Sequence, residues 1–313
     1  MVKRGTVMLH IKSLEDGIDI FKALGSNVRI EIIRLLQENN GMNMNDLASH
    51  LNITNGALTG HIKKLEDCGL ISTDTEPSGH GNQKICTVHL DKILIDVDPS
   101  PEAQDSHIYH TELKVGHYSG YDISPTCGLA SASAIIGSVD DPRYFAHPDR
   151  YSADILWFSK GFVEYTIPNF VPSTQKIDKL MVSAELGSEA PGFNNVWPSD
   201  ISFFINDVCV GSWTSPGDFG DVKGLFNPDW WYSYWNQYGL LKVLTINQDG
   251  SFIDGLRISN ITLSDLSLES GAPIRLKFSV KEDAANVGGL TIYGKNFGNY
   301  NQDINVQISY TDK

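Results

Sequence analysis

LASHLNITNGALTGHIKKLEDCGLI, residues 47–71, decides the fold of the N-terminal part of the chain. A short helix is predicted over 43–51, and a tight polar turn around one apolar residue follows at 52–55. A second helix is predicted over 55–68, because apolar residues recur at i, i+4 and i+7 of one face: Leu58, Ile62 and Leu65. The order helix, turn, helix is one with which many proteins present a helix to the major groove of DNA.

The other face of this second helix is polar and cationic. It carries Thr59, His61, Lys63 and Lys64. The helix also begins with small or polar residues, which are Thr54, Asn55, Gly56 and Ala57. Such a start lets the backbone N–H groups and the positive end of the helix dipole approach a phosphate closely. We therefore expect this helix to contact DNA.

Two further helices are predicted upstream. Over 16–24 the apolar residues recur at the spacing of one helix face, and Gly25 follows at a C-cap position. Asn27 is the predicted N-cap of the next segment, whose dense apolar residues over 28–36 indicate a core helix. The Asn-Asn-Gly sequence at 39–41 ends that helix.

A β-hairpin is predicted downstream. Gly-Leu-Ile at 69–71 ends the second helix of the motif and opens a strand. The segment 76–82, EPSGHGN, has turn chemistry, and 84–88 alternates as a returning strand. A hairpin in this position is typical of the wing that accompanies a helix-turn-helix.

Three successive stretches resemble the winged helix-turn-helix of the ArsR family of bacterial repressors: ALGSNVRIEIIRLL, MNDLASHLNITNGALTGHIKKLEDCGLI and GHGNQKICTV. The resemblance covers about residues 15–95. It implies a symmetric dimer that binds operator DNA, with the second helix of the motif in the major groove and the wing alongside. The residues that it implies near bases or adjoining phosphates are Thr54, Asn55, Ala57, Thr59, Gly60 and His61. Those that it implies on the DNA backbone and in the wing are Lys63, Lys64, His80 and Lys84.

The chain departs from the family pattern at two points. Many members have an arginine where Gly60 stands, so a bidentate base contact typical of specific readout is missing. The metal-sensing branch places paired cysteines on the helix before the turn, and 43–51 contains none. We therefore expect a different operator and no metal sensing through thiolates.

Composition divides the chain in two. All six Trp and all twelve Tyr lie after residue 95. Residues 1–95 hold ten Lys and Arg against eleven Asp and Glu, so nearly all of the formal net charge of −14 belongs to the rest. An acidic chain would normally argue against nucleic acid, but this argument fails for separate domains. The segment DPSPE indicates a linker, and we predict domains at 1–95 and 106–313 with a linker at 96–105.

The C-terminal part is predicted to be a β domain. Short alternating runs recur between turn signals, at 155–158, 161–167, 180–186, 201–205, 240–246, 255–263, 274–280, 290–293 and 304–310. Such a series favours an antiparallel β-sandwich that resembles a jelly roll. The small-residue run 128–136 fits either a helix or a buried strand. The whole chain is thus predicted to be an α+β multidomain protein.

Aromatic and polar residues alternate in three predicted loops of this domain. A sugar presents flat C–H faces ringed by hydroxyl groups, so an aromatic platform beside Asp, Asn and Gln favours a carbohydrate site. The stretch resembles β-sandwich carbohydrate-binding modules in general character. The predicted effector-binding residues are Trp197, Trp213, Asp218, Asp229, Trp230, Trp231, Tyr234 and Trp235. Packing or dimer contact explains the loop aromatics equally well.

Other candidates favour ordinary structural roles. Trp157 lies in an apolar run and is predicted to be core, and the charged segment 140–150 is interpreted as a self-contained turn. His107 and His110 would face opposite sides of a strand, so no metal site is predicted. No GxSxG, HExxH or phosphate-loop pattern is present, and we expect neither an enzyme nor a cofactor.

These patterns together predict a DNA-binding transcription regulator, and the family resemblance implies that it is a repressor. Four dispersed cysteines, no signal sequence and no membrane span favour the cytoplasm. The expected partners are double-stranded operator DNA, a second copy of the chain and a small-molecule effector such as a sugar. Two alternatives for the C-terminal domain are a module for oligomerisation or protein interaction and a glycoside-processing domain.

Overall fold

The computed structural model describes residues 7–11, 14–39, 41–78, 81–88, 90–95 and 107–313. The chain divides into two compact units, Met1–Ala103 and Gln104–Lys313. The predicted linker, 96–105, lies outside the described residues.

The first unit contains the four helices that the sequence predicts. They are α1 (Ile18–Leu24), α2 (Asn27–Glu38), α3 (Met44–Leu51) and α4 (Asn55–Asp67). The predicted cap of α2 is wrong by one residue: Ser26 holds the extended N-cap conformation, and Asn27 is the first helical residue. The Ser26 carbonyl accepts the first hydrogen bond of the helix, from the backbone N–H of Ile30 at 3.0 Å, and no side chain makes a capping hydrogen bond there.

Side-chain caps fix the turn between α3 and α4. The Asn43 side chain accepts a hydrogen bond from the Asp46 N–H at 2.8 Å and begins α3. Asn52 ends that helix in the left-handed conformation, with φ 52°, which Asn tolerates better than most residues. Thr54 then caps α4, since its Oγ1 accepts from the Ala57 N–H at 3.2 Å. The tight turn predicted at 52–55 is therefore built by its own polar side chains.

The described residues of the first unit also form five strands. They are β1 (Val7–Ile11), β2 (Met42–Asn43), β3 (Ile71–Ser78), β4 (Gly81–Val88) and β5 (Leu90–Ile95). β3 and β4 pair antiparallel as the predicted wing, with β2 on the other side of β4. β1 and β5 pair parallel, which the sequence did not indicate.

The core of the first unit combines one face of each helix. Leu58, Ile62 and Leu65 of α4 are all buried, as their spacing predicts. Arg29 of α2 is also buried, and it donates hydrogen bonds to the carbonyls of Ala23 and Lys22 at 2.5 and 2.7 Å. These carbonyls lie in the last turn of α1, where a cation offsets the negative end of the helix dipole.

The second unit is built from twelve strands. They are β6 (His107–Leu113), β7 (Gly120–Ala130), β8 (Ile155–Ile167), β9 (Gln175–Gly187), β10 (Ser199–Ile205), β11 (Val208–Ser215), β12 (Leu240–Ile246), β13 (Ser251–Ile253), β14 (Leu256–Ser259), β15 (Ile274–Val280), β16 (Leu290–Tyr293) and β17 (Ile304–Asp312).

Two long strands organise this sheet. β8 pairs with β7 on one edge and with β15 and β16 on the other, and β15 continues to β10 and β11. β9 pairs with β12 on one edge and with β16 and β17 on the other, and β12 continues to β13 and β14. Since β16 pairs with both, it joins the β8 half to the β9 half. Every pairing in this unit is antiparallel, and the predicted fold class, α+β with a β-sandwich unit, is confirmed.

One hydrophobic core lies between the two halves. Alternate residues of β8 (Val163, Tyr165 and Ile167) and of β9 (Leu180, Val182 and Ala184) belong to it. The two runs predicted at 155–158 and 161–167 are one strand, and the run predicted at 255–263 is a strand only to Ser259. The ambiguous run 128–136 ends β7 at Ala130 and then turns, so it is not a helix.

Candidate nucleic-acid interface and ligand cavity

The predicted DNA-contacting residues of α4 share one accessible face. The exposed members are Thr54, Asn55, Ala57, Thr59, Gly60, Lys63 and Lys64, and His61 is partly exposed. The buried stripe of the same helix faces the core of the first unit. The helix is therefore anchored on one side and free on the other.

Hydrogen bonds hold the start of α4 against α3. Asn55 Nδ2 donates to Asn45 Oδ1 at 2.9 Å, which connects the two helices of the motif. Thr59 Oγ1 donates to the Asn55 carbonyl at 2.8 Å, so the hydroxyl oxygen keeps its accepting capacity for a solvent or ligand donor. The exposed polar side chains at this end are thus positioned before any ligand arrives.

Glu66 ties the end of α4 to the wing. It accepts a hydrogen bond from Thr73 Oγ1 of β3 at 2.5 Å. Its other oxygen lies 3.9 Å from Lys84 Nζ of β4, in a pair that is half exposed on both sides. Part of the positive charge at Lys84 is therefore offset within the protein. His80, the other predicted wing contact, lies outside the described residues.

Gly60 lies in the middle of the exposed face of α4. A Cβ added there would meet nothing within 4 Å, and the residue has ordinary helical backbone. Glycine in a helix interior costs about 1 kcal/mol relative to alanine. The fold of the unit gives no reason for a glycine at this position.

The second unit contains a cluster of aromatic residues around Trp231. Its indole ring lies 5.9 Å from that of Trp157, 4.8 Å from that of Trp235 and 4.9 Å from the ring of Phe297, measured between centroids. Trp231 Nε1 donates to the Asn236 carbonyl at 2.7 Å, which satisfies its polar atom. This arrangement fixes the 230–237 loop onto the N-terminal half of β8.

A cavity of about 240 Å³ opens beside this aromatic cluster. Its volume is near the lower end of the range for small-molecule sites, which begins at roughly 300 Å³. The residues that line it are Thr126, Val139, Asp140, Trp157, Glu189, Ala190, Pro191, Gly192, Trp231, Trp235 and Asn236. Aromatic rings and carboxyl groups therefore share its walls.

Glu189 is one of the two carboxyl groups that line this cavity. It accepts hydrogen bonds from Thr126 Oγ1 at 3.1 Å, from Thr291 Oγ1 at 3.4 Å and from Asn236 Nδ2 at 3.5 Å. Removal from water raises the pKa of Glu189 well above its usual range, and the neighbouring Asp218 raises it further. Burial therefore disfavours the charged form of this carboxyl group.

Asp218 lies behind this wall and is completely buried. Its Oδ2 accepts from the N–H of Ala190, a lining residue, at 3.0 Å. Burial raises the pKa of Asp218 to about 8, although the hydrogen bond from Ala190 works in the opposite direction. Two acidic side chains with raised pKa values thus adjoin one cavity, which is a pattern often found at functional sites.

The predicted effector-binding residues divide between this cavity and other places. Trp231 and Trp235 line it, Asp218 supports it, and Trp230 packs on Trp231 at 5.5 Å while its Nε1 donates to the Ala132 carbonyl at 2.7 Å. The other four lie outside its lining: Trp197, Trp213, Asp229 and Tyr234.

Three of these four residues have distinct contacts elsewhere in the second unit. Trp213 lies under Lys242, whose Nζ is 4.7 Å from the ring centroid, and Asp229 pairs with Lys223 at 3.1 Å. Tyr234 is exposed and stacks on Tyr232. A role of these residues in ligand binding stays a prediction.

Sequence reasoning did not single out several lining residues. Trp157 is buried as predicted, yet it also lines the cavity. Asp140 belongs to a loop interpreted as a self-contained turn, and Glu189 follows a strand without any motif. Their only signal is a carboxyl group beside apolar or small residues, which is common in loops. Within the described parts of the chain, no three His, Cys, Asp or Glu residues come together as a metal site, and no helix is long and apolar enough to cross a membrane.

Two solved structures show distant similarity. One is dimeric latent PorU from Porphyromonas gingivalis, at 10% identity and a TM-score of 0.25, covering 78% of this chain and 18% of that one. The other is peanut lectin with a nine-residue peptide, at 11% identity and a TM-score of 0.23, covering 66% of this chain and 96% of that one. Scores this low carry no argument about fold or ligand.

Two further comparisons give clearer matches. An uncharacterized protein of Methanocaldococcus jannaschii is 42% identical over 52 residues, which are 17% of this chain and 56% of that protein. The chain therefore spans little more than half the length of this relative. Residues 26–72 match the family model described as winged helix-turn-helix DNA-binding. The matched range begins at the cap of α2 and ends in β3, so it contains α2, α3 and α4. The match and the fold together identify a winged helix-turn-helix domain of the DNA-binding type in this segment.

Proposed function

We propose that this protein is a cytoplasmic transcription regulator of the ArsR type that binds double-stranded operator DNA as a homodimer. The observation that carries the proposal is the accessible face of α4 within a domain that matches a DNA-binding family model. This face presents Lys63 and Lys64, and Lys84 lies on the adjoining wing strand. The second unit is the proposed sensor for a small-molecule effector.

In this proposal α4 enters the major groove. The small and polar residues at its start allow the backbone to come close to the DNA, and the positive end of the helix dipole favours a phosphate there. Thr59 and His61 then face the base edges, while Lys63 and Lys64 neutralise phosphates. No arginine stands on this face, so base readout depends on shorter side chains and on the shape of the DNA.

The effector site of this proposal is the cavity beside Trp157, Trp231 and Trp235. A bound molecule regulates DNA binding only if it binds one arrangement of the dimer more tightly than the other. Typical coupling free energies are about 1 to 3 kcal/mol. The sequence-based prediction of a sugar remains one chemistry to test.

The DNA-binding half is tested by Lys63→Ala plus Lys64→Ala. We expect about tenfold weaker binding to random-sequence duplex DNA and a salt dependence that is shallower by about 2 in slope, because two phosphate contacts are lost. Fluorescence anisotropy titrations at several salt concentrations measure both quantities.

The matched control is Lys22→Ala plus Arg34→Ala, which removes the same charge from α1 and α2. Both residues are exposed and form ion pairs within their own helices, with Asp19 and Glu31. We expect the control to keep most of the affinity and the full salt slope. Equal losses in the two double variants would contradict the docking of α4.

Dimerisation is tested separately by the mass of the full chain in solution. The second unit exposes several large apolar side chains on loops, among them Val196, Val222 and Leu225. These residues favour the alternative that this unit also serves assembly. Light scattering should give twice the chain mass of 34.6 kDa, and a monomer at all concentrations would rule out both the dimer and the assembly module.

A further inference from the structure

The three indole rings beside the cavity face in different directions. The ring planes of Trp157 and Trp231 meet at 74°, those of Trp231 and Trp235 at 77°, and those of Trp157 and Trp235 at 55°. A sugar ring needs one broad aromatic face, whereas a compact group with apolar substituents on all sides suits several inclined faces. Indole is also the side chain with the strongest attraction for a cation over its ring.

The charges of the lining residues also favour a cation as the ligand. Asp140 and Glu189 line the cavity and Asp218 lies behind it, whereas none of the lining residues is Lys, Arg or His. The groups that shift the pKa of Glu189 by their charge, Asp218 and Asp140, both raise it. The site therefore has acidic groups that a positive ligand would compensate.

Three side-chain donors of the site are already engaged within the protein. Thr126 Oγ1 donates to Glu189, and Asn236 Nδ2 donates to Thr291 Oγ1 at 3.1 Å and to Glu189 at 3.5 Å. Trp231 Nε1 donates to a carbonyl. The hydroxyl groups of a polyol can donate to the carboxyl groups, but their lone pairs also require donors, whereas an alkylated ammonium ion requires none. An inorganic cation is disfavoured, because the described carboxyl groups do not gather into a metal site.

We propose that this cavity binds an organic ammonium ion, with its alkyl groups against Trp157, Trp231 and Trp235 and its charge near Glu189 and Asp140. The inference deepens the proposed function, since it rests on the second unit being an effector sensor and names the class of effector. The cavity volume of about 240 Å³ suits a small ion such as choline.

Binding of a cation should release a proton from Glu189. The groups that face this side chain are Thr126, Thr291, Asn236, Asp218 and Asp140. Burial, Asp218 and Asp140 raise the pKa of Glu189, whereas the hydrogen bonds from Thr126 and Thr291 lower it, and a positive charge beside the group favours the carboxylate. The affinity for the ion is then expected to rise with pH, by at most about tenfold per pH unit.

The test is calorimetric titration of the full chain with choline and with tetramethylammonium. The matched control is 3,3-dimethylbutan-1-ol, which has the shape of choline without its charge, and glucose serves as the sugar arm. We expect both cations to bind at least tenfold more tightly than the neutral alcohol. Titrations in buffers of different ionisation enthalpy measure the proton that is released.

Two variants locate the site. Glu189→Gln keeps the size and the hydrogen-bond acceptor but cannot ionise, so it should weaken cation binding at least tenfold and abolish proton release. Trp235→Leu should weaken binding without changing proton release. Phe170→Leu is the control, since this ring is exposed, lies outside the lining and is not among the predicted effector-binding residues. Near-ultraviolet circular dichroism shows whether each variant keeps its packing.

Three results would overturn the proposal. They are equal affinity for choline and its neutral isostere, binding of glucose in place of the cations, and no heat with either cation even at about 10 mM. Random-sequence DNA binding is measured on the same preparation. Intact DNA binding with no cation binding refutes the ammonium site alone, whereas cation binding that leaves DNA affinity unchanged refutes its role as effector.

Discussion

The two units present their candidate functional residues in opposite ways. In the first unit these residues lie within one helix, α4, and its neighbouring hairpin, and most of their side chains are exposed. In the second unit the cavity residues come from positions between Thr126 and Asn236, and Trp157, Trp231 and Asn236 are buried. Substitutions on the helical surface should thus have little effect on folding. Substitutions in the cavity should affect folding, because the aromatic residues that line it are also packed in the core.

The largest effect that this difference predicts is that of Trp231→Ala. The variant removes a buried ring in contact with Trp157, Trp235 and Phe297, so we expect it to lower the free energy of unfolding by about 3 to 5 kcal/mol. All six Trp lie in the second unit, so denaturant unfolding followed by the remaining Trp fluorescence reports on that unit.

Tyr234→Ala is the control for this variant. Tyr234 lies in the same loop but is 60% exposed, so its loss should lower the free energy of unfolding by less than about 1 kcal/mol. If Trp231→Ala were as stable as Tyr234→Ala, the contrast between the two units would be wrong, since the cavity wall would then not be part of the core.

An effect of comparable size is a dependence of stability on pH. Because burial raises the pKa of Asp218 to about 8 from 3.8, the folded chain holds a proton that the unfolded chain has lost over that interval. Asp218 should therefore contribute fully to the free energy of unfolding below about pH 4. This contribution should be lost as the pH rises through 8, by up to about 1.4 kcal/mol per pH unit.

Asp218→Asn isolates the contribution of this carboxyl group. Asparagine keeps an oxygen that can accept the Ala190 N–H bond but does not titrate. Urea unfolding at pH 5 and pH 8 should show a smaller loss of stability in the variant than in the parent chain. Parallel curves for the two proteins would show that Asp218 is ionised in the folded state.

A smaller effect is expected on the exposed helix. Gly60→Ala should raise the free energy of unfolding of the first unit by up to about 1 kcal/mol, because the added Cβ meets open space and alanine favours a helix. Circular dichroism at 222 nm during thermal unfolding measures the change, since that wavelength reports the helices.

Gly69→Ala gives the contrasting result. Its Cβ would also meet nothing within 4 Å, but the backbone has φ +68°, which disfavours an L side chain by about 1 to 2 kcal/mol. Opposite signs for the two variants show that backbone conformation, and not space, decides the effect. If Gly60→Ala also weakens DNA binding, the glycine serves close approach to DNA.

The contrast between the two units also explains how much of each could be predicted from the sequence. In the first unit the signals are local: Thr54 caps α4, and the spacing of Leu58, Ile62 and Leu65 fixes its buried face. Even the error at Asn27 is a shift of one residue, because Ser26 is an equally good capping residue. Such signals need no knowledge of distant parts of the chain.

In the second unit the signals are not local. β6, β7, β11 and β13 were not predicted, and β11 contains Gly211 and alternates weakly. The pairing of β16 with both β8 and β9 depends on register, which the sequence does not specify before the sheet is known. Glu189 and Trp235 come to line one cavity only through these strand pairings, so no sequence motif predicts the cavity.

The smallest predicted effect concerns the charge at the edge of the DNA-binding face. Glu66→Gln removes the carboxylate that lies 3.9 Å from Lys84 Nζ, while the new amide oxygen can still accept the hydrogen bond from Thr73. Exposed ion pairs contribute less than about 1 kcal/mol, so DNA affinity should rise by about twofold to fivefold. The salt slope should increase by up to about 0.9, since Lys84 becomes available to one more phosphate.

Glu31→Gln changes the charge equally but frees Arg34 on α2, 3.6 Å away, and should leave the salt slope unchanged. An identical gain in both variants would mean that the overall charge of the first unit, and not the position of Lys84 beside α4, governs DNA binding.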